Sequence, residues 1–377
     1  MSRPEAKGWC PGAHRPMMSG DGLVVRVRPM MARLERSQML GLCDLATRFG
    51  SGLIDLTSRA NLQIRGVDEK DHEALLQELA ALELLQDDPE LEGRRNILMT
   101  PLWQAGDDSS AIAEQLVRRL PDLPALPAKM GFAVDAGPAP MLQGNSADFR
   151  FERDASSGLI LRADGAALGR PVSRDTAVQA ALEMAEWFVQ TGGTASRRMA
   201  LHLTKATLPA DWTSTAPATQ AKGLVPGAAG AHHIYGAAFG QIEARAMRQL
   251  LQDSGAKAIR VTPWRLFLLE KAAPVTSCDF ITDADDPLLQ INACPGAPYC
   301  TAASVDTRDL ARKLARRISG PLHVSGCAKG CAHPRKCRTT LVGRNGAFDL
   351  VRNGLPWDEP QLSGLAPDTL TDRIGDC

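Results

Sequence analysis

Four cysteines toward the end of the chain have the residue type and spacing to hold a metal cluster. Cys294 and Cys300 enclose five residues, Cys327 and Cys331 enclose three, and 26 residues separate the two pairs. Four thiolates are the ligand count of a cubane iron–sulfur cluster. Pro295, Gly296, Pro298, Gly326 and Gly330 flank them, and such residues build irregular loops in which backbone approaches a bound group closely. The spacing is neither the short ferredoxin run nor the paired Cys-x2-Cys of a zinc ribbon. A structural zinc site or two disulfides are the alternatives. The chain has nine cysteines, and an odd count without a secretory leader favours ligation over a disulfide framework.

A second set of residues could bind carboxylates. Arg26, Arg28, Arg59, Arg65, Arg95 and Lys129 fall at strand ends or loop starts. Guanidinium grips carboxylate bidentately and stays charged at any working pH. Taken singly, each is as well explained as ordinary surface charge. His14, His202, His232, His233, His323 and His333 could ligate a metal or donate hydrogen bonds. His232 and His233 are adjacent, and neighbours in a strand point to opposite faces, so they form no facial ligand set. Cys10 reads as a ligand or a buried thiol. Cys43 lies on an apolar helix stripe and reads as core. Cys278, Cys337 and Cys377 carry no assigned role.

The elements that must position these residues can be read in outline. Leu23-Val24-Val25-Arg26-Val27-Arg28 reads as a strand, ended by Pro29. A helix follows from about Ser37 with Met39, Leu42, Cys43, Ala46 and Phe49 on one stripe, stopping at Gly50. Leu53 to Thr57 and Leu62 to Arg65 read as strands. A helix over Glu69–Leu85 would bury Leu75, Leu76, Leu79 and Leu82. A similar order recurs later: a helix after Gly240 carrying Ile242, Ala246, Met247, Leu250 and Leu251, then strands at Ala258–Thr262 and Arg265–Leu269. Thr57-Ser58-Arg59 and Thr262-Pro263-Trp264-Arg265 each place a threonine at a strand end shortly before an arginine. This predicts two half-domains related by a pseudo-twofold axis. Between them, helices are expected near Ala111–Leu120 and Thr176–Val189, and Pro209–Ala231 reads as a linker. After Cys300 a helix with Leu310, Leu314 and Ile318 should run to Gly320. Leu322-His323-Val324 then forms a strand that delivers Cys327, and the tail after Asn353 is polar and uninformative.

The cysteine pattern resembles the cluster motif of the sirohaem-dependent sulfite and nitrite reductase superfamily, whose last cysteine also bridges cluster and haem. The resemblance implies an α+β fold with two ferredoxin-like half-domains related by an internal pseudo-twofold repeat, plus two α/β domains. It also implies that a tetrapyrrole rich in carboxylates is held by Arg26, Arg28, Arg59 in Thr57-Ser58-Arg59, Arg95 in Arg95-Asn96, and Lys129 after Leu126-Pro127. One departure stands out: the reductases carry Lys-x-Lys here, whereas this chain has Lys129-Met130-Gly131. The second cation, which helps bind a small oxyanion, is absent.

Further segments narrow the resemblance. Cys10-Pro11-Gly12 before Arg15-Pro16, Gly20-Asp21-Gly22, Thr262-Pro263-Trp264-Arg265 and the run from His323 to Pro334 resemble the precorrin-3B synthase branch of the aerobic cobalamin pathway, over roughly residues 8–355. The resemblance implies oxidation of precorrin-3A by dioxygen, with hydroxylation at C20 and closure of a γ-lactone. It implies Cys294, Cys300, Cys327 and Cys331 as ligands of a 4Fe–4S cluster, a non-haem iron beside it, and an electron donor or reductant such as NADH. The tetrapyrrole is then substrate rather than cofactor. A sirohaem-dependent sulfite or nitrite reductase and a non-catalytic iron–sulfur electron carrier are the competing functions.

Composition sets the outer limits. The chain has 377 residues, 44% of them apolar and 23% charged, the mix of an ordinary globular protein. Lysine plus arginine equals aspartate plus glutamate at 43 each, so no bulk field draws in nucleic acid or an anionic membrane. No apolar run approaches a membrane span, and Met1-Ser2-Arg3-Pro4-Glu5 begins no apolar leader. The expectation is a cytoplasmic protein without nucleic-acid or membrane partners. Four regions are expected: 1–88, the first half-domain; 89–222, an α/β domain with linker; 223–280, the second half-domain; and 281–377, the iron–sulfur domain and tail.

Overall fold

The computed structural model describes residues 11–368 and Leu370. Cys10 and Cys377 lie outside the described residues. The chain opens with β1 (Met17–Ser19), β2 (Gly22–Val27), β3 (Arg33–Glu35), α1 (Arg36–Phe49), β4 (Leu53–Leu56), β5 (Leu62–Val67) and α2 (His72–Ala81). The middle contributes α3 (Pro89–Arg94), β6 (Ile97–Met99), α4 (Asp108–Arg118), β7 (Phe132–Val134), β8 (Phe149–Arg153), β9 (Leu159–Ala163), β10 (Arg170–Val172), α5 (Ala177–Gln190) and two single turns, α6 (Gly193–Ser196) and α7 (Met199–His202). Next come β11 (Gly227–Ala229), β12 (His232–Gly236), β13 (Gln241–Glu243), α8 (Ala244–Ser254), β14 (Ala258–Val261) and β15 (Leu266–Glu270). The last group is β16 (Ile291–Ala293), α9 (Arg308–Ala315), β17 (Leu322–Ser325), β18 (Cys337–Arg344), β19 (Ala347–Gly354) and β20 (Leu362–Leu365).

α1 begins where Glu35 and Gln38 form a reciprocal capping box, which satisfies backbone donors at the helix start. It buries Met39, Leu42, Cys43, Leu45 and Ala46. Its chain stops at Gly50, where a Cβ would meet the Arg65 carbonyl at 2.4 Å. The Cys43 thiol is pushed up to about 12 by burial, as befits a core residue.

The two halves repeat as expected, with one addition. The first sheet runs β1-β2-β5-β4-β13 and its counterpart β11-β12-β15-β14-β3. Each half therefore donates one short strand to the sheet of the other: β13 lies antiparallel to β4, and β3 to β14. Both donated strands follow a tight turn with two residues of positive φ, Met31 and Ala32 in the first half and Phe239 and Gly240 in the second. The strand registers align Arg26 with Ile234, Arg28 with Gly236, Asp55 with Arg260, Arg59 with Trp264 and Arg65 with Glu270. Arg59 and Trp264 each donate a backbone N–H to the preceding threonine hydroxyl, both at 3.3 Å. The structural mate of Arg59 is thus Trp264, not Arg265. Arg265 matches Ala60, and both have positive φ.

The other two sheets are β10-β9-β8-β7-β6 and β16-β17-β18-β19-β20, each with three parallel strands and an antiparallel remainder. The α+β architecture with two ferredoxin-like halves is the one expected. Some elements differ. α2 stops at Ala81 instead of Leu85, because the chain turns at Glu83 with φ of 58°. α9 ends at Ala315, short of Gly320. Ile242 lies on β13, outside the helix. The segment 209–231 is no free linker. It bridges to the middle sheet at Thr215 and Pro217 and turns into β11. Past Asn353, Leu362–Leu365 adds the edge strand β20 to the last sheet, whose long hairpin β18–β19 precedes it.

Candidate functional site

The cysteine loops sit at the ends of parallel strands. Cys294 follows β16, and Cys327 follows β17. The Cys294 Sγ accepts the Gly326 backbone N–H at 3.1 Å. At Gly326 a Cβ would lie 2.6 Å from that of Ala303, so only glycine lets the second loop approach the first so closely. Burial pushes the thiols of Cys294 and Cys331 up; Cys300 and Cys327 push both further, and Cys294 also pushes Cys331. All four are free thiols. Among the described residues no three His, Cys, Asp or Glu side chains converge on a single ion. Four free thiols on two neighbouring loops, Cys294 accepting a backbone N–H from the loop of Cys327, are the donor set that a polynuclear iron–sulfur group would require of Cys294, Cys300, Cys327 and Cys331. The non-haem iron that the resemblance implies has no convergent ligand set among the described residues.

The predicted cations gather in two linked pairs. Arg28 and Arg95 share the carboxylate of Glu92, at 2.8 and 3.1 Å, and Arg95 Nη2 also donates to the Arg28 carbonyl at 2.6 Å. Glu92 is buried and also accepts the Gln86 N–H. Burial lowers the Arg95 pKa, Glu92 opposes that shift, and Arg28 adds to it. The Nε atoms of Arg28 and Arg95 are buried with no hydrogen-bond partner. These two arginines line a cleft with Asn61, Met30 and Ile97. In the second pair, Arg59 Nη2 donates to the Lys129 carbonyl at 2.8 Å. Asn96, beside Arg95, donates to the Met130 carbonyl, which ties the two pairs together. Arg26 is buried on β2 two residues before Arg28, so both leave the chain on one side. Arg65 turns instead to Asp21 and Asp55.

Glu92 and Asn61 were not legible as site residues, since neither belongs to a motif. Position 131 has a structural reason to lack a lysine. A Cβ there would lie 2.5 Å from the Asn96 carbonyl oxygen, so the packing of Asn96 excludes any side chain. The pseudo-twofold axis does not repeat these cations. Ile234, Gly236 and Trp264 stand where the first half has Arg26, Arg28 and Arg59, and a Cβ at Gly236 would press on Ile281 at 3.0 Å.

Most histidines are engaged elsewhere. His14 bonds the Gln86 carbonyl and His202 the Thr191 hydroxyl. His233 packs with a tilted ring against Tyr235, and His232 is partly buried on the same strand. His323 on β17 is fully buried beside His333. Burial drives it down to about 3, and neither ring nitrogen has a hydrogen-bond partner.

The comparisons with known proteins agree with this architecture. Residues 15–82 match the nitrite/sulfite reductase ferredoxin-like half domain. The structure of the NirA protein of Mycobacterium tuberculosis superposes with a TM-score of 0.67 at 17% identity, over 94% of this chain and 79% of that one. The fold is thus that of the nitrite and sulfite reductase class. A precorrin-3B synthase from Sinorhizobium sp is 30% identical over 409 aligned positions, spanning 98% of this chain and 86% of the relative. The chain belongs to the precorrin-3B synthase family.

Proposed function

We propose that this chain oxidises precorrin-3A with dioxygen, placing a hydroxyl at C20 while a substrate acetate closes a γ-lactone. The observation that carries this reading is similarity to a precorrin-3B synthase over almost the whole chain. The cationic cleft supports it. Arg28, Arg95, Arg59, Lys129 and Arg26 hold the carboxylates of the tetrapyrrole, and the unpartnered Nε atoms of Arg28 and Arg95 are donors waiting for acceptors. Glu92 fixes both forks before substrate arrives, which lowers the ordering cost of binding. One oxygen atom enters the substrate and the other leaves as water, with two electrons and two protons drawn from the donor. A cluster held by Cys294, Cys300, Cys327 and Cys331 supplies electrons singly when bound. The donor is a reductant such as NADH or a protein that carries its electrons.

Sulfite or nitrite reduction is the competing reading. A developing oxyanion needs fixed cations aimed at it, and Gly131 provides none where the reductases carry their second lysine. The test is to give anaerobically purified protein precorrin-3A, reductant and labelled dioxygen. One labelled oxygen atom should appear in the tetrapyrrole. Appreciable sulfite reduction with no label in the product would overturn the proposal.

A further inference from the structure

An ion-pair ladder crosses from the first half-domain to the first cysteine loop. Arg65 on β5 donates to both oxygens of Asp21, at 3.0 and 2.8 Å, and to Asp55 at 3.4 Å. Asp55 on β4 pairs on its other oxygen with Arg308, at 3.5 Å. Arg65, Asp55 and Arg308 are all buried. Arg65 and the residue preceding Arg308 both hold the loop that carries Cys294 and Cys300. Arg65 Nη2 donates to the Tyr299 carbonyl at 3.1 Å, and the Ser19 hydroxyl and Gly20 N–H reach the same oxygen. At the other end, Thr307, the neighbour of Arg308, donates its hydroxyl to the Cys294 carbonyl at 2.5 Å. The contact is shaped for closeness: a Cβ on Gly20 would fall 2.2 Å from the Pro298 carbonyl oxygen, and one on Gly296 would fall 2.6 Å from the Thr307 hydroxyl.

The ladder leaves one element unsatisfied. Arg308 is 7% exposed, yet its Nε and Nη1 have no hydrogen-bond partner. Asp55 engages only its Nη2, and two further buried donors without acceptors are costly. The adjoining loop bears two of the four proposed thiolate ligands, and a cluster ligated by four thiolates is anionic.

We propose that Asp21, Arg65, Asp55 and Arg308 form a positioning relay that fixes the Cys294–Cys300 loop against the first half-domain and sets the reduction potential of the cluster through the balance of Arg308 and Asp55. The proposal rests on those cysteines being cluster ligands. Cluster potentials respond to local net charge and hydrogen bonding. Arg308 favours the reduced state, which carries one more negative charge, and Asp55 opposes it. The two residues therefore act with opposite sign.

The experiment compares iron and sulfide content and the cluster midpoint potential in wild type, Arg308→Gln, Arg308→Lys and Asp55→Asn. Iron and sulfide in the wild type decide the cluster reading by themselves. In cluster-loaded variants, Arg308→Gln should lower the potential, Asp55→Asn should raise it, and Arg308→Lys should fall between wild type and Arg308→Gln. If Arg308→Gln fails to load, the comparison of Arg308→Lys with Asp55→Asn carries the same opposed signs. Shifts in one direction for both positions, or unchanged potentials in loaded protein, would overturn the relay.

Discussion

Glu92 is a buried carboxylate that pairs with both arginines of a cleft proposed to bind carboxylates. It draws Arg28 and Arg95 together, and without it two like charges would face each other in a buried place. Two guanidiniums on one carboxylate still leave net positive charge, with the unpartnered Nε atoms turned to other use. Arg59 is held differently, by backbone. Its Nη2 donates to the Lys129 carbonyl, so it shapes the turn before Gly131. Replacing Arg59 by Ala should weaken precorrin-3A binding by about 2–5 kcal/mol, the range for truncating one partner of a buried charge pair, while the cluster absorbance survives. Unaltered affinity measured by equilibrium titration would remove Arg59 from the site. The cysteines and most of these arginines were legible because their types and spacing are unusual together. Glu92, Asp55 and Arg308 were not, since a lone acid or arginine carries no periodicity and its role exists only once distant strands meet. Arg65 was noticed as a cation, but its ion pairs with Asp21 and Asp55 could not be foreseen.

Among elements, the strands β2, β4, β5, β14 and β15 and the helices α1 and α5 followed from hydrophobic patterning, because each is long enough for a period to register. The donated strands β3 and β13 did not. Three residues are too few to reveal alternation, and their partner lies some two hundred residues away. The alignment of Thr57 with Thr262 holds in the strand registers, and it places Trp264 rather than an arginine opposite Arg59. One crossing is pinned by Glu270, which takes Arg33 from β3 at 2.9 Å and Arg260 from β14 at 2.5 Å. Burial would raise the Glu270 carboxyl, but these two guanidiniums outweigh it and bring it from 4.5 to about 2. A depressed carboxyl stabilises the fold above its unfolded pKa, and that contribution is lost as pH falls toward the folded value. Glu270→Gln should therefore lower the denaturant midpoint at neutral pH, with the gap to wild type closing as pH falls from about 4.5 toward about 2. A gap of constant size across that window would show that Glu270 acts by packing alone.

At the scale of the molecule, opposite charges balance at 43 each, yet they are distributed with purpose. The first half concentrates cations at Arg26, Arg28 and Arg59, while its structural twin is apolar at the matching places. Even the buried pairs are reversed, Asp55 with Arg65 against Arg260 with Glu270. Duplication is thus visible in the backbone and erased in the side chains, which is why the repeat could be sensed in the sequence but its asymmetric use could not. The exchanged strands have a further consequence. A chain cut after the exposed Lys222 should yield fragments 1–222 and 223–377 that are soluble when expressed together and copurify. Expressed singly, each should be found in the insoluble fraction; a soluble monomeric fragment would show that the exchange is dispensable. The physical reason lies at the sheet margins. Without β13, β4 becomes an open edge, and without β3 so does β14, each a row of unpaired amides and carbonyls able to recruit any other strand. The half that lacks the arginines therefore still serves the half that has them, closing its margin and guarding it against aggregation.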